Sequence, residues 1–432
     1  MQFKSLNNTV PAVSFREALF QGMAADGGLY VPVTMPRLSP DFINNLKNYS
    51  IVEIGSIIAS AYIDEIPQLV LQDIISKTLS FPLPLTKLTK NIYLLELFHG
   101  PTLAFKDVGA RFMAETIGYF LEQEKQHITI VVATSGDTGS AVARGFHNIA
   151  NVDVYVLYPQ GKVSYLQEQQ MTTLGGNIHA IEVAGTFDDC QALVKKTLVD
   201  PELQSLHLTT ANSINIGRLL PQIIYYFWGI AELRRQGITE DPIVVVPSGN
   251  FGNVTAAGYA QAMGAPIKHL IAATNRNDVV PAYLATGQLQ PRASAQTLSN
   301  AMDVGHPNNF VRLLALYGNQ YESIKQAVTG LAISDEETLD EIKATYTETQ
   351  TILDPHTAVG VAAAKRIAEA DSPVIVAATA HPGKFPDVIK RALAFDLPLP
   401  DALKKVMSLK KNSTVIKADF AEWKVFLLKN ST

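Results

Sequence analysis

In the stretch Ile243-Val244-Val245-Val246-Pro247-Ser248-Gly249-Asn250-Phe251-Gly252-Asn253, a short β-branched run passes directly into a loop rich in glycine and asparagine. A continuous apolar run of this length is typical of a strand buried on both faces of a parallel sheet. An alanine-rich segment with helical character follows the loop. Strand, loop and helix in this order predict a unit of a parallel α/β sheet, with the loop at the carboxyl end of the strand.

The same alternation recurs on both sides of this stretch. Further strands are predicted where apolar runs are short and β-branched, at 128–133, 152–157, 269–273 and 374–378. Helices are predicted after Lys106 and at 187–198. Two such sets of strands and helices predict an α/β protein with two parallel-sheet, three-layer domains, preceded by a mostly helical N-terminal domain.

Composition places the chain among soluble globular proteins. Of its 432 residues, 47% are hydrophobic and 17% charged, and the formal net charge of −5 gives no reason to expect nucleic acid or an anionic membrane as partner. The single cysteine, Cys190, cannot form an internal disulfide, which favours a reducing compartment. The N-terminus lacks a secretory pattern, and no apolar stretch approaches the roughly 20 residues needed to span a bilayer. We therefore expect a cytoplasmic protein.

Two loops at predicted strand ends are rich in small polar residues, which let backbone amides approach an anion closely. In the loop 247–253, Gly249 and Gly252 permit a tight turn at a helix start, where the helix dipole favours a phosphate. The second loop is Thr134-Ser135-Gly136-Asp137-Thr138-Gly139-Ser140. Taken singly, each loop is also explained as an ordinary strand-to-helix turn, in the second case with Ser135, Asp137 or Thr138 as the cap.

Lys106 lies just before a predicted amphipathic helix, in the run His99-Gly100-Pro101-Thr102-Leu103-Ala104-Phe105-Lys106-Asp107. The positive end of the helix dipole disfavours a cation there, and the apolar neighbours before Lys106 add a desolvation cost. Both effects favour the neutral amine, which is the form that Schiff-base chemistry requires. From position alone, a solvated lysine beside its counter-ion Asp107 is the simpler explanation.

Further polar residues follow other predicted strands and helices. The cluster Asn212-Ser213-Ile214-Asn215-Ile216-Gly217-Arg218 carries an arginine suited to bidentate phosphate binding, although Arg218 alone is more simply a helix-surface residue. Thr379 follows the predicted strand 374–378, on the side of the sheet where ligands bind. The histidines have no metal-ligand spacing, and we interpret three of them as structural: His99, His356 and His381.

Together these motifs resemble the threonine synthase family, which belongs to the pyridoxal-phosphate enzymes of fold type II, the tryptophan-synthase-β-like enzymes. The run 99–107 resembles the cofactor-lysine signature of that family, 134–140 its substrate loop, and 247–253 its cofactor-phosphate loop. Three further stretches fit: Asp26-Gly27-Gly28-Leu29-Tyr30-Val31-Pro32, 353–360 and 378–386. Six motifs in one order, over about residues 1–390, make chance agreement implausible.

The resemblance implies pyridoxal 5′-phosphate as the cofactor, bound as a Schiff base to Lys106. It implies that Gly249, Asn250, Phe251, Gly252 and Asn253 hold the cofactor phosphate, that Thr379 faces the pyridine nitrogen, and that Asp137 lies on the O3′ side. The implied substrate-binding residues are Thr102, Thr134, Ser135, Gly136 and Thr138, with Asn212, Ser213 and Arg218 for a substrate phosphate. Position 137 carries Asp where many fold type II enzymes carry Asn, so we expect the O3′ contact to differ in protonation or geometry.

The domain division expected for this family is an N-terminal domain at 1–84, a large cofactor-binding domain at 85–105 and 216–395, and a small α/β domain at 106–215. A C-terminal extension, 396–432, carries no family motif, and we expect a short helix there.

Threonine synthases convert O-phospho-L-homoserine and water into L-threonine and phosphate, so the resemblance implies a carbon–oxygen lyase of threonine biosynthesis acting on a small phosphorylated molecule. The alternatives are another fold type II enzyme, such as a serine or threonine dehydratase or a cysteine synthase, and a catalytically silent relative that binds a phosphorylated ligand. A nicotinamide-dependent dehydrogenase is disfavoured, because the dinucleotide-binding glycine pattern is missing. We expect a monomer or a small homo-oligomer.

Overall fold

Strands and helices alternate through most of the chain. The computed structural model describes residues 1–367 and 372–430. Its strands are β1 (Gln2–Ser5), β2 (Val13–Ser14), β3 (Tyr30–Pro32), β4 (Leu85–Lys87), β5 (Ile92–Glu96), β6 (Ile128–Ala133), β7 (Val152–Pro159), β8 (Ile178–Ala184), β9 (Leu208–Thr210), β10 (Ile243–Pro247), β11 (His269–Thr274), β12 (Val328–Ala332), β13 (Val374–Ala378) and β14 (Thr414–Lys417). Its helices are α1 (Phe15–Gln21), α2 (Pro40–Asn44), α3 (Ile51–Ser60), α4 (Gln68–Thr78), α5 (Lys106–Glu124), α6 (Asp137–Phe146), α7 (Tyr165–Thr172), α8 (Phe187–Val199), α9 (Ile216–Leu219), α10 (Gln222–Arg235), α11 (Gly252–Met263), α12 (Val279–Thr286), α13 (Phe310–Leu316), α14 (Tyr321–Ala327), α15 (Asp335–Thr349), α16 (Pro355–Ile367), α17 (Pro386–Leu393), α18 (Asp401–Met407) and α19 (Phe420–Asn430).

The strand β10, formed by the β-branched run at 243–247, lies inside a six-stranded sheet with the order β12-β11-β10-β13-β5-β4. Its strands are parallel except β4, which runs antiparallel to β5. All five residues of β10 are buried, as expected for a central parallel strand covered on both faces. The strand predicted at 374–378 has the same bounds in the structure and lies beside β10.

A second sheet has the order β14-β8-β7-β6-β9, and all of its strands are parallel. The strand β6 is buried along its whole length and has the bounds predicted from the sequence, 128–133. The helix predicted at 187–198 is observed as α8. The predicted fold class, α/β with two parallel sheets, is confirmed.

The C-terminal tail joins the second sheet, which the sequence pattern did not predict. The strand β14 pairs in parallel with β8, and Trp423 of α19 is fully buried, with its Nε1 donating to Thr197 Oγ1 at 2.8 Å. A four-residue strand with one buried residue has no detectable periodicity, so only its pairing with β8 defines it. The predicted domain boundaries at 84, 105, 215 and 395 stay predictions.

Helices α1–α4 dominate the first 84 residues, as predicted for the N-terminal domain. The segment also contains a small antiparallel sheet with the order β2-β1-β3, which was not predicted. The carboxylate of Asp26 connects β1 with the turn before β3. It accepts hydrogen bonds from Ser5 Oγ at 2.6 Å and from Gly28 N at 2.9 Å. Over the described residues, no helix combines the length and hydrophobicity needed to cross a bilayer.

Candidate active site

The carboxyl ends of four parallel strands, β6 and β9 of one sheet and β10 and β13 of the other, meet at a common cleft. Ligands of α/β proteins bind at such strand ends, because the connecting loops and helix N-termini open there. The predicted site residues that line the cleft are Lys106, Thr134, Ser135, Asp137, Thr138, Asn212, Ser213, Arg218, Gly249, Asn250, Phe251, Gly252, Asn253 and Thr379.

Lys106 begins α5, and the backbone before it is held against the segment that follows β13. Phe105 N donates to Thr379 O at 2.9 Å, and His381 N donates to Leu103 O at 3.1 Å. Leu103 has the left-handed φ of 59°, which turns the chain just before the helix. These bonds bring Lys106 and Thr379 to the same wall of the cleft.

The surroundings of Lys106 favour its neutral amine. Burial lowers the pKa of Lys106 to about 8; the carboxylate of Asp137 opposes this shift, and the cations Arg218 and Lys384 add to it. A lysine with a pKa in this range supplies neutral amine near physiological pH, so it can act as a nucleophile. Because Lys106 lines the cleft and Asp107 accepts hydrogen bonds from Thr102, the interpretation of Lys106 as a surface lysine beside its counter-ion Asp107 does not hold.

The loop after β10 has a backbone that tolerates no side chain at its centre. A Cβ on Gly249 would lie 2.6 Å from Met302 Cα and 2.8 Å from Ala301 O, so both backbones would have to move. Phe251 has φ of 61°, and α11 begins directly after it at Gly252. The turn thus places the N-terminus of a twelve-residue helix at the cleft, where its amides and dipole favour an anion.

Asn253, in the first turn of α11, adds a side-chain donor at this end of the cleft. Its Oδ1 accepts from the hydroxyls of Tyr225 and Tyr226, the latter at 2.6 Å. Within the described part of the chain, its buried Nδ2 has no hydrogen-bond partner. Because an unpaired buried donor costs free energy, a cleft-lining amide of this kind suits a ligand oxygen.

The loop after β6 is shaped by Thr134, whose Oγ1 accepts from Gly136 N at 2.9 Å and from Gly139 N at 2.8 Å. Two residues predicted to bind substrate, Gly136 and Thr102, do not line the cleft. Gly136 packs against the Gln167 side chain. Thr102 donates from N and from Oγ1 to the Asp107 carboxylate, both at 2.8 Å, and so supports the turn before Lys106.

Arg218 is a buried cation at the cleft. Only 3% of the residue is exposed, and burial lowers its pKa to about 10, with Asp107 opposing the shift. One terminal nitrogen donates to Ala211 O. Among the described residues no carboxylate forms an ion pair with Arg218, and its Nε has no partner. A desolvated guanidinium that lines the cleft without an ion-pair partner suits an anionic ligand.

Asn212 and Ser213, predicted to accompany Arg218, line the cleft but are largely engaged by the protein. Both polar atoms of the Asn212 amide hydrogen-bond to the backbone of Ala133. Ser213 Oγ accepts from Asn250 Nδ2 at 2.7 Å and from Asn309 Nδ2 at 3.1 Å. These two residues therefore connect the loops, while Arg218 carries the charge.

Comparison with known proteins agrees with this geometry. The family model described as "Pyridoxal-phosphate dependent enzyme" matches residues 73–379, and models described as "Threonine synthase N terminus" and "Threonine synthase, C-terminal" match 2–79 and 357–427. The chain is 43% identical to a threonine synthase of Haemophilus influenzae over 432 residues, covering 100% of both chains. The chain belongs to the threonine synthase family.

Solved structures of threonine synthases support the same assignment. The crystal structure of the Escherichia coli enzyme matches with a TM-score of 0.94 at 41% identity, covering 99% of this chain and 100% of that one. A pyridoxal-phosphate-bound threonine synthase from Brucella melitensis matches with a TM-score of 0.92 at 36% identity, covering 100% and 99%. The predicted family, fold type II and pyridoxal phosphate cofactor are confirmed, as is the assignment to the lyases of threonine biosynthesis. Like other threonine synthases, this chain acts on a small molecule.

Residues of the chain fit a cofactor that carries both an aldehyde and a phosphate. Lys106 supplies a partly buried amine of lowered pKa. The loop at 249–253 supplies a helix N-terminus and the free donor of Asn253. Both lie on the walls of one cleft, with Thr379 at the end of β13 beside Lys106.

Asp137 has a partner that sequence reasoning missed. Its Oδ1 lies 2.7 Å from Lys384 Nζ and accepts a hydrogen bond from Gln167 Nε2 at 2.9 Å. Burial by itself would raise the pKa of Asp137, but the charges of Lys384 and Lys106 and these hydrogen bonds hold it well below its ordinary value. The ion pair with Lys384 favours the carboxylate form of Asp137, and the expected difference in its O3′ contact stays a prediction. Lys384 belongs to the motif 378–386, in which the family resemblance assigns a role only to Thr379.

Other cleft residues carried no sequence signal of function. Helix α8 contributes one wall, with Phe187, Gln191, Val194 and Lys195. His356 also lines the cleft, but the protein occupies both of its ring nitrogens: Nδ1 bonds Asp354 at 2.9 Å, and Nε2 accepts from Ala301 N at 3.1 Å. The structural interpretation of His356 therefore agrees with its contacts.

Proposed function

We propose that this chain converts O-phospho-L-homoserine and water into L-threonine and phosphate, with pyridoxal phosphate bound at Lys106. The observation that carries the proposal is the buried guanidinium of Arg218, which forms no ion pair among the described residues and lies in the same cleft as Lys106 and the loop 249–253. The loop suits the phosphate of the cofactor. Arg218 then provides for a second anion, which a substrate with its own phosphate supplies.

Other activities of the same fold do not require a site for a second anion. Serine and threonine dehydratases act on substrates without a phosphate, so a desolvated arginine without a counter-ion would cost them stability and serve no ligand. A catalytically silent ligand-binding relative is also disfavoured, because Lys106 retains a lowered pKa suited to reaction.

The chain's own residues divide the work as follows. When bound, the cofactor supplies an electron-withdrawing ring that makes the protons on the substrate Cα, and then on Cβ, acidic. The Lys106 amine, released when the substrate amine takes its place, accepts and returns these protons. Thr134, Ser135 and Thr138 hold the substrate α-carboxylate at the N-terminus of α6, where the helix dipole favours an anion.

Arg218 stabilises the charge that builds on the leaving phosphate, since a fixed cation in a water-poor cleft does not have to reorganise. Thr379 presents a hydroxyl, not a carboxylate, to the pyridine nitrogen. A hydroxyl from Thr379 would not stabilise a proton on that nitrogen as a carboxylate would, which would favour onward removal of the Cβ proton and loss of phosphate. A proton returned to Cγ makes it the methyl group of threonine. Water then adds its hydroxyl at Cβ, and return of the Cα proton completes the product.

The direct test is to incubate the purified protein and pyridoxal phosphate with O-phospho-L-homoserine, L-serine or L-threonine, and to measure threonine, phosphate and keto acids. We expect threonine and phosphate in equal amounts from the first substrate. The Lys106→Ala variant should lose the activity together with the visible absorption of the covalently bound cofactor. Keto acid from serine at a higher kcat/KM than threonine from phosphohomoserine would reject the proposal.

We further propose that the protein works in the cytoplasm as a monomer or small homo-oligomer. The single cysteine, Cys190, is free and buried, which supports a reducing compartment. Cell fractionation and light scattering of the purified protein test both statements.

A further inference from the structure

Lys384 is a buried cation that the proposed chemistry does not use. Its side chain has no exposed surface. The Nζ atom lies 2.7 Å from Asp137 Oδ1 and donates to Thr102 O at 2.8 Å. It thereby joins three segments: the turn after β13, the turn before Lys106 and the first residue of α6.

The partner of Lys384 lines the same cleft as the reactive lysine. Asp137 lines the cleft together with Lys106, and each acts on the charge of the other. Gln167 contributes a neutral hydrogen bond to Asp137, so Lys384 and Lys106 are the two cations that compete for this carboxylate. A buried carboxylate deprived of one cation binds the other more strongly, because an unpaired charge in the interior is costly.

We propose that Lys384 is a positioning residue for Lys106: by pairing with Asp137 it prevents Asp137 from holding Lys106 as an ammonium ion, and so leaves the Lys106 amine free for the cofactor. This inference rests on the proposed role of Lys106. It assigns to the motif 378–386 a task beyond that of Thr379.

The charges around Lys106 show why the pairing matters. Asp137 favours the protonated form of Lys106, while Lys384 and Arg218 disfavour it. Removing Lys384 removes a repulsion and also frees Asp137 to attract, so both changes stabilise the ammonium form. The charge of Lys384 also reaches Asp107 and His381, which face it from α5 and from the segment after β13. Neither forms an ion pair with Lys106 among the described residues.

The experiment measures capture of the cofactor, not turnover. The full-length protein is freed of cofactor and reloaded with pyridoxal phosphate, and the rate of Schiff-base formation is followed by visible absorbance from pH 6 to 10, a range of roughly two units on either side of the Lys106 pKa. The variants are Lys384→Met, Lys384→Arg, Asp137→Asn and the double variant Asp137→Asn with Lys384→Met.

We expect Lys384→Met to move the midpoint of the rate profile upward by about one pH unit or more, since one nearby charge shifts a pKa by about that much. Lys384→Arg keeps the charge and should stay near wild type. The double variant removes both charges and should return the midpoint towards wild type, which a merely structural role of Lys384 would not do. Asp137→Asn should move the midpoint downward.

An unchanged midpoint in a folded Lys384→Met protein would overturn the proposal. If Lys384→Met does not fold, Asp137→Asn becomes the test. A midpoint of Asp137→Asn at the wild-type value would equally overturn the proposal. Failure of the proposed function is recognised separately: Lys106→Ala would then still form the Schiff-base absorption.

Discussion

The side-chain amide of Asn212 hydrogen-bonds to both backbone groups of Ala133, the last residue of β6. Its Nδ2 donates to Ala133 O at 2.7 Å, and its Oδ1 accepts from Ala133 N at 3.0 Å. The pair continues the ladder between β6 and β9 past its last backbone partners, Val131 and Thr210. It therefore fixes the point at which the loop 134–138 begins.

The Asn212→Ala variant leaves both backbone groups of Ala133 without this partner. We expect its free energy of unfolding to fall by about 1–3 kcal/mol, and its KM for substrate to rise because the loop is less well placed. Urea denaturation and steady-state kinetics measure the two effects. Asn44→Ala, at an exposed position of α2, is the control and should match wild type. An Asn212→Ala protein of wild-type stability would contradict the bracing role.

Gly249→Ala should abolish tight binding of pyridoxal phosphate. The added Cβ would lie 2.6 Å from Met302 Cα, and a backbone atom cannot yield as the tip of a side chain can. Cofactor affinity is measured by absorbance titration. Gly118→Ala, inside α5, is the matched control: its Cβ meets only Ile149 Cγ2 at 3.6 Å, so affinity should be unchanged and stability slightly higher. Normal affinity of Gly249→Ala would show that the loop can relax.

Arg218→Met should separate stability from activity. Because a buried guanidinium without a carboxylate is costly, replacing it with an apolar side chain should raise the free energy of unfolding by about 1–2 kcal/mol. The same change should lower kcat/KM for O-phospho-L-homoserine by about 10²–10³-fold, since the leaving phosphate loses its cation. Denaturation and kinetics on one preparation test both. Equal activity of Arg218→Met and wild type would exclude Arg218 from the phosphate site.

Asp107 should give the stability a definite dependence on pH. Burial raises the pKa of Asp107 to about 6, although Thr102 and the charges of Lys384 and Arg111 oppose the shift. The folded protein therefore keeps a proton that the unfolded chain loses, and this contribution to stability declines as the pH rises from about 4 to 6.

Asp107→Asn removes that titration. The free energy of unfolding of the variant relative to wild type should increase over this range by at most about 1.4 kcal/mol per pH unit and level off above it. Denaturation curves at several pH values give the difference. A difference independent of pH would contradict the raised pKa.

Much of the fold followed from local pattern. The runs 128–133 and 374–378 are continuous, β-branched and short, and both strands have the predicted bounds because such runs are stable only inside a parallel sheet. The amphipathic pattern after Lys106 predicts a helix start, and α5 begins at Lys106. The motifs along residues 1–390 were enough to indicate the family and its cofactor.

Other features depended on contacts between residues far apart in the sequence. The strand β14 exists because it pairs with β8, and the role of α8 as a wall depends on how its sheet faces the other one. The hydrogen bonds between Asn212 and Ala133 likewise join residues far apart in the chain, and the predicted role of Asn212 at a substrate phosphate stays a prediction.

The strands, the loops at their ends and the lysine with its motif were predictable because they depend on residues close together in the chain. The pairing of charges in the site depends on the tertiary fold. Whether Arg218 has a counter-ion, and whether Asp137 pairs with Lys106 or with Lys384, depends on burial and on distances of a few ångströms. Electrostatic interactions act through space, and no local pattern records them.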